Sequence, residues 1–152
     1  MSLRLPGPLF FYGVLMPGLV SGRMAALVGL LDPGIAATVR GTLYAVADRR
    51  GHYPVLVADP AGGTVAGRVH APGPGFGAAE LAEMDAFEGY LPDDPGRSDY
   101  IRRALPATLA DGRATACEAY VWNRAVDGDL VRIPHGDFAR YLVETGMNPL
   151  PG

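Results

Sequence analysis

The chain has 152 residues, 49% hydrophobic and 19% charged, the composition of one globular domain (1–152) long enough to bury a core. A net charge of −3 with no run of basic residues speaks against a nucleic-acid partner. All 13 basic residues are arginine, which removes Schiff-base and P-loop lysine chemistry, and the single Cys117 excludes an internal disulfide and every multi-cysteine metal pattern.

In chain order, MSLRLPGPLFFYG is interrupted by Pro and Gly where a cleavable signal needs an unbroken apolar core. No segment reaches the length of a membrane-spanning helix, so the expectation is a cytoplasmic protein with no membrane partner. LFFYGVL (9–15) reads as a buried first strand that turns out through LMPG. Ser21 then stands as N-cap of a short apolar helix, SGRMAALVGLL, which the Asp32-Pro33-Gly34 turn ends. GTLYAVA (41–47), PVLVA (54–58) and GTVAGRVHA (63–71) are strand-like, and Gly67 in the last suggests a bulge or a close backbone approach. A helix is expected from about residue 77 to 87, followed by LPDDPGRSD, a loop too polar for the core. YIRRALPATLA (100–110) and ATACEAYVW (114–122) form two more strands joined by the Asp111-Gly112 hairpin signal, with Cys117 as a buried thiol. Asp137 caps a last short helix, DFARYLVETG. Many strands with a few scattered helices give an α+β fold built on a curled or barrel-like sheet.

Most chemistry-bearing residues have ordinary explanations. His52, His70 and His135 share no ligand spacing, so no metal is expected. No G-x-S-x-G elbow occurs, and APGPGFG (71–77) lacks the spacing of a dinucleotide loop, so no cofactor is expected. Glu88 stands apart. On a helix it lies seven residues after Leu81, within about 20° of the same direction, with Met84 and Phe87 flanking it. A carboxylate in an apolar stripe is desolvated, and the helix C-terminus adds partial negative charge, as does Asp85 one turn earlier. These effects raise proton affinity toward the range of an acid–base catalyst. The alternative is a Glu88 that fans outward or pairs with an arginine. FFYGVLMPG is the second unusual stretch: its turn leaves backbone N–H groups free to cradle a carboxylate or an oxyanion, and Gly13 permits close approach to the main chain. An ordinary strand-to-helix turn is the alternative there.

The two stretches together resemble the γ-glutamylcyclotransferase-like family, also called AIG2-like. The matching residues are Tyr12-Gly13-Val14-Leu15 with Pro17-Gly18, and Met84-Asp85-Ala86-Phe87-Glu88-Gly89. GTLYAV with YPVL (53–56), GRVH (67–70), Tyr100-Ile101-Arg102-Arg103 and Ala119-Tyr120-Val121-Trp122 follow in the family's order. The resemblance implies a γ-glutamylcyclotransferase-like mixed barrel and a cofactor-independent cyclisation of a small γ-glutamyl substrate. That reaction releases 5-oxoproline and an amine or amino acid. It further implies Glu88 as the acid–base, Tyr12, Gly13, Val14 and Leu15 as the substrate loop, Tyr100 as a pocket-wall hydroxyl and Arg102 as an anchor for a carboxylate. Val14 departs from the family's usual Ser or Thr. A non-catalytic domain that binds γ-glutamyl or 5-oxoproline-type ligands is the alternative on the same fold.

Overall fold

The computed structural model describes residues 6–13, 15–16, 19–48 and 51–149, with Asp48 described by its backbone only. The elements are β1 (Leu9–Phe11), α1 (Gly22–Val28), β2 (Ile35–Asp48), β3 (Gly51–Ala58), β4 (Gly63–His70), α2 (Ala78–Phe87), a 3-10 turn (Pro95–Arg97), β5 (Tyr100–Leu109), β6 (Ala114–Trp122), β7 (Leu130–Arg132) and α3 (Phe138–Thr145). β2, β4, β1, β6 and β5 are hydrogen-bonded in that order, and β5 pairs back onto β2 through Ala37↔Leu109 and Thr38↔Thr108. This closes a five-stranded barrel. Among the described strands every strand-to-strand pairing is antiparallel except β1 with β6, which is parallel at Leu9↔Glu118.

The long β2 builds both halves of the sheet. Its first part, from Ile35 to Gly41, pairs with β4 inside the barrel; from Gly41 to Asp48 it pairs with β3, with β7 on its other side. Gly41 sits at the change of partner, where a Cβ would press on the Val57 carbonyl. β2 thus begins six residues before the expected GTLYAVA, and β7 was not expected at all. β1 is shorter than LFFYGVL, ending at Phe11 as the chain leaves the sheet toward α1. Ser21 takes the N-cap position of α1 without a side-chain hydrogen bond into the helix.

Two apolar layers result. Phe10, Val39, Leu43, Leu56, Val65 and Val121 fill the barrel, closed by Phe138 and Leu142 of α3. Leu9, Phe11, Met24, Leu27, Phe76 and Met84 join the outside of the sheet to α1 and α2. β1 lies between the layers, so alternate residues go to opposite cores and the strand reads as one unbroken apolar run. Each fully buried large side chain contributes roughly 1.5–3 kcal/mol. Gly67 of β4 is a close approach, since a Cβ there would strike the Phe11 carbonyl and the Phe10 ring. Asp137 accepts from the Arg140 amide at 3.1 Å and caps α3 as expected, and Gly146 ends it with φ 67°.

Candidate active site

Helix α2 carries the centre of the site, and both its ends are held. At the start the Glu80 carboxylate accepts from the Gly77 amide at 2.8 Å. At the end Glu88 is the C-cap and Gly89 turns left-handed at φ 73°. Tyr90 N–H then reaches the Asp85 carbonyl at 2.9 Å, and Gly89 N–H the Ala86 carbonyl at 3.1 Å. This pair of bonds is a Schellman motif, which leaves Glu88 at a set position on the final turn.

The helix turns a different face to the protein than its apolar residues suggest. Met84 and Asp85 are buried, Leu81 and Glu88 are half-buried, and Phe87 is exposed. Leu81, Met84, Asp85 and Glu88 follow i, i+3, i+4, i+7 spacing, so the inward stripe contains two carboxylates. Phe87 does not flank it; Asp85 takes the inward place because partners on the sheet compensate its burial. Arg102 donates Nε to Asp85 Oδ1 at 2.8 Å and Nη2 to Oδ2 at 3.2 Å, and Tyr120 donates its hydroxyl to Oδ1 at 2.7 Å. The third guanidinium nitrogen, Nη1, bonds Glu118 Oε2. Arg102 and Tyr120 are direct partners across β5 and β6, which brings both to one spot on the sheet.

Glu88 has no such support. Burial raises its proton affinity most, the Asp85 charge adds to this, and together they push it up to about 8 from an ordinary carboxylate value. Among the described residues no arginine or histidine pairs with it. Three phenols feel its charge. Tyr12 is raised by burial and then by Glu88. Tyr100 is raised by burial, then by Tyr12 and Glu88, with Tyr53 and Asp99 adding to it. Tyr120 is raised by burial and then by Asp85, with Glu88 beyond. All three therefore stay protonated as donors: Tyr12 to the Tyr120 carbonyl at 2.5 Å, Tyr100 to the Pro54 carbonyl at 2.7 Å, and Tyr120 to Asp85. They tie the residue that follows β1 to β6, β5 to β3 and β6 to α2.

Of the substrate loop expected from the sequence, Tyr12, Gly13 and Leu15 are among the described residues, and Tyr12 is the one that feels the Glu88 charge. Gly13 has no room for a Cβ, because the Pro54 ring occupies that space. Its glycine is thus explained by the packing of β3 and not by a ligand on that side. The Gly13 carbonyl accepts from Met16 N–H at 2.9 Å, while the Gly13 and Leu15 amides bond no backbone carbonyl among the described residues. Leu15 is buried in the helix-side layer. Val14, Pro17 and Gly18 lie outside the described residues.

Arg102, expected as an anchor for a ligand carboxylate, is engaged by two carboxylates of the protein, and its guanidinium also lies 5.7 Å from the centre of the Tyr90 ring. Asp85 was not named as a site residue, and its partners are 17 and 35 positions away in the chain. The polar stretch 91–99 is braced. Ser98, fully buried, accepts from the Leu91 amide at 2.7 Å, Asn123 donates to the Pro95 and Ser98 carbonyls, and Arg124 holds Asp99. Each histidine has a protein partner: His52 with Tyr141, His70 with the Asp32 carbonyl and His135 with Glu144. No three His, Cys, Asp or Glu side chains converge as a metal site among the described residues.

A small mixed barrel with a half-buried carboxylate, unpaired with any cation among the described residues, defines an α+β protein with an acid–base candidate at its helix–barrel junction. The sequence model described as "Gamma-glutamyl cyclotransferase, AIG2-like" matches residues 9–140, and the chain belongs to this family. The fold agrees. YkqA from Bacillus subtilis superposes with a TM-score of 0.64 at 17% identity, over 92% of this chain and 42% of that one. This chain therefore spans less than half of the Bacillus protein. A protein from Arabidopsis thaliana gives 0.56 at 24% identity over 96% and 87% of the two chains. An AIG2-like protein from Mus musculus gives 0.50 at 22% identity over 89% and 95%. No curated protein matches the sequence.

Proposed function

We propose that the protein is a γ-glutamyl cyclotransferase that closes a γ-glutamyl compound on itself, releasing 5-oxoproline and an amine or amino acid. The observation that carries this reading is Glu88, a half-buried carboxylate held by a Schellman turn one helical turn from Asp85, with no arginine or histidine paired to it among the described residues. The family supports the reaction class.

The chemistry needs little beyond such a group. As a carboxylate, Glu88 takes a proton from the substrate's α-ammonium. The freed amine attacks the γ-carbonyl carbon, a C–N bond forms and a five-membered ring closes. The bond to the leaving nitrogen then breaks as protonated Glu88 delivers its proton there. Two protons leave the attacking nitrogen overall and two arrive at the leaving nitrogen, so one carboxylate cycling twice balances the reaction. The attack is intramolecular, which already supplies a high effective molarity. The Gly13 and Leu15 amides are the donors assigned to the substrate carboxylate or the developing oxyanion. Tyr12 and Tyr100, whose hydroxyls serve backbone carbonyls, act as pocket walls.

The test is 5-oxoproline release from γ-glutamyl amino acids, γ-glutamyl amines and glutathione, with wild type beside Glu88→Gln. Product from one class with wild type alone is expected and names the leaving group. Saturable binding of these compounds without product would replace the enzyme with a binding domain of the same fold.

A further inference from the structure

The mechanism uses Glu88 but leaves a second inward carboxylate on the same helix unexplained. Asp85 sits three residues earlier, buried, and gains two hydrogen bonds from Arg102 and one from Tyr120. Glu118 grips the far side of Arg102 and is partly exposed, so a chain of alternating charges runs from solvent to α2. A structural tie between α2 and the sheet does not require this chemistry, since an apolar pair of similar volume would pack there at least as well. What an apolar pair would not provide is a negative charge within one helical turn of Glu88.

Resting on the cyclotransferase reading, we propose that Asp85 is a positioning residue for Glu88: clamped by Arg102 and Tyr120, its carboxylate fixes the last turn of α2 and holds a negative charge one helical turn from Glu88. The groups that face Glu88 support this division of labour. On its own helix there is Asp85; from the barrel come Tyr12 after β1, Tyr100 on β5 and Tyr120 on β6, all phenols held neutral by burial. Behind Tyr120 stands Arg102, and beyond Tyr100 stand Tyr53 and Asp99. Asp85 is therefore the one group acting directly on Glu88 as a negative charge among the described residues. Arg102 remains cationic, since burial opposes its charge but Asp85 and Glu118 outweigh burial. The guanidinium keeps Asp85 in place while attenuating its effect on Glu88. Tyr120 has two separable duties: its hydroxyl serves Asp85, and its backbone carbonyl serves Tyr12.

The experiment is a side-chain titration of Glu88 by carbon NMR on glutamate-labelled protein, the resonance assigned by its loss in Glu88→Gln. Asp85→Asn keeps acceptor and shape and removes the charge. Its Glu88 midpoint is expected to fall by at least about 0.5 pH unit, roughly threefold in the proton equilibrium. Tyr120→Phe keeps the ring, the backbone carbonyl and the Asp85–Arg102 pair. Removing a donor from Asp85 leaves its charge less quenched, so the Glu88 midpoint is expected to rise. The acidic limb of kcat/KM moves in the same two directions. Should Asp85→Asn fail to fold, the direction seen with Tyr120→Phe decides: a rise supports the proposal, and no change or a fall overturns it. An unmoved midpoint in folded Asp85→Asn overturns it equally, as does activity lost evenly across pH. Because the titration needs no substrate, its expected shifts with no 5-oxoproline from any compound would uphold the coupling and sink the cyclotransferase reading alone.

Discussion

Asp85 and Glu88 are two carboxylates one turn apart on the same stripe of α2, in opposite circumstances. Asp85 lies against the β5–β6 ladder, where a bidentate arginine and a tyrosine hydroxyl compensate its burial. Glu88 lies at the helix end, facing phenols whose hydroxyls are already turned to Tyr120 and Pro54 carbonyls and to Asp85. Burial alone therefore marks neither as functional. Among the described residues Asp85 has a counter-ion and Glu88 has none, which separates a carboxylate that ties helix to sheet from the one proposed to exchange protons.

The sharpest way to break this contrast is to neutralise each member. Glu88→Gln keeps the size and the Schellman turn, so it is expected to fold normally and lose about 10²–10⁴-fold in 5-oxoproline release. Undiminished turnover would remove Glu88 from the chemistry. Arg102→Met attacks the other member by leaving Asp85 buried without its cation. The expected cost is about 3 kcal/mol, a Tm lower by roughly 10 °C, read by thermal unfolding at neutral pH. An unchanged Tm would mean that Asp85 does not depend on Arg102.

A third difference appears in the pH dependence of stability. Glu88 has its folded value raised to about 8, whereas the unfolded chain ionises it near 4.5. Between these values the folded protein keeps a proton that the unfolded chain releases, so this contribution is full at low pH and is lost as pH rises through 8. Glu88→Gln removes the loss. The Tm of the variant relative to wild type should therefore climb with pH and level off above about 8, and a constant difference would contradict the raised value. Tyr100→Phe makes the smallest change: losing the bond to the Pro54 carbonyl should cost about 1 kcal/mol and shift activity modestly.

What could be read from the sequence follows the distance over which each feature is determined. The β5–β6 hairpin, the Asp137 cap and the Gly146 stop rest on residues a few positions apart. Glu88 was legible for the same reason, since a seven-residue spacing from Leu81 places it on the inward stripe. Asp85 was legible only as a neighbouring charge, because the arginine and tyrosine that draw it inward come from strands far along the chain. With Asp85 inward, Phe87 is left exposed, which its hydrophobicity alone contradicts. Gly13 was read as an opening for a ligand, yet its missing Cβ makes room for Pro54, 41 residues later. The first part of β2, IAATVR, consists mainly of small residues whose strand character comes from closing the barrel between β4 and β5.

The measurement that bears most directly on the account is the titration midpoint of Glu88 in the wild-type protein, followed through its side-chain carboxyl carbon. A midpoint near 8 is predicted for a desolvated carboxylate with a negative neighbour and no cation. A midpoint near 4.5 would show an ordinary solvated or paired glutamate, and the proton shuttle assigned to it would fall.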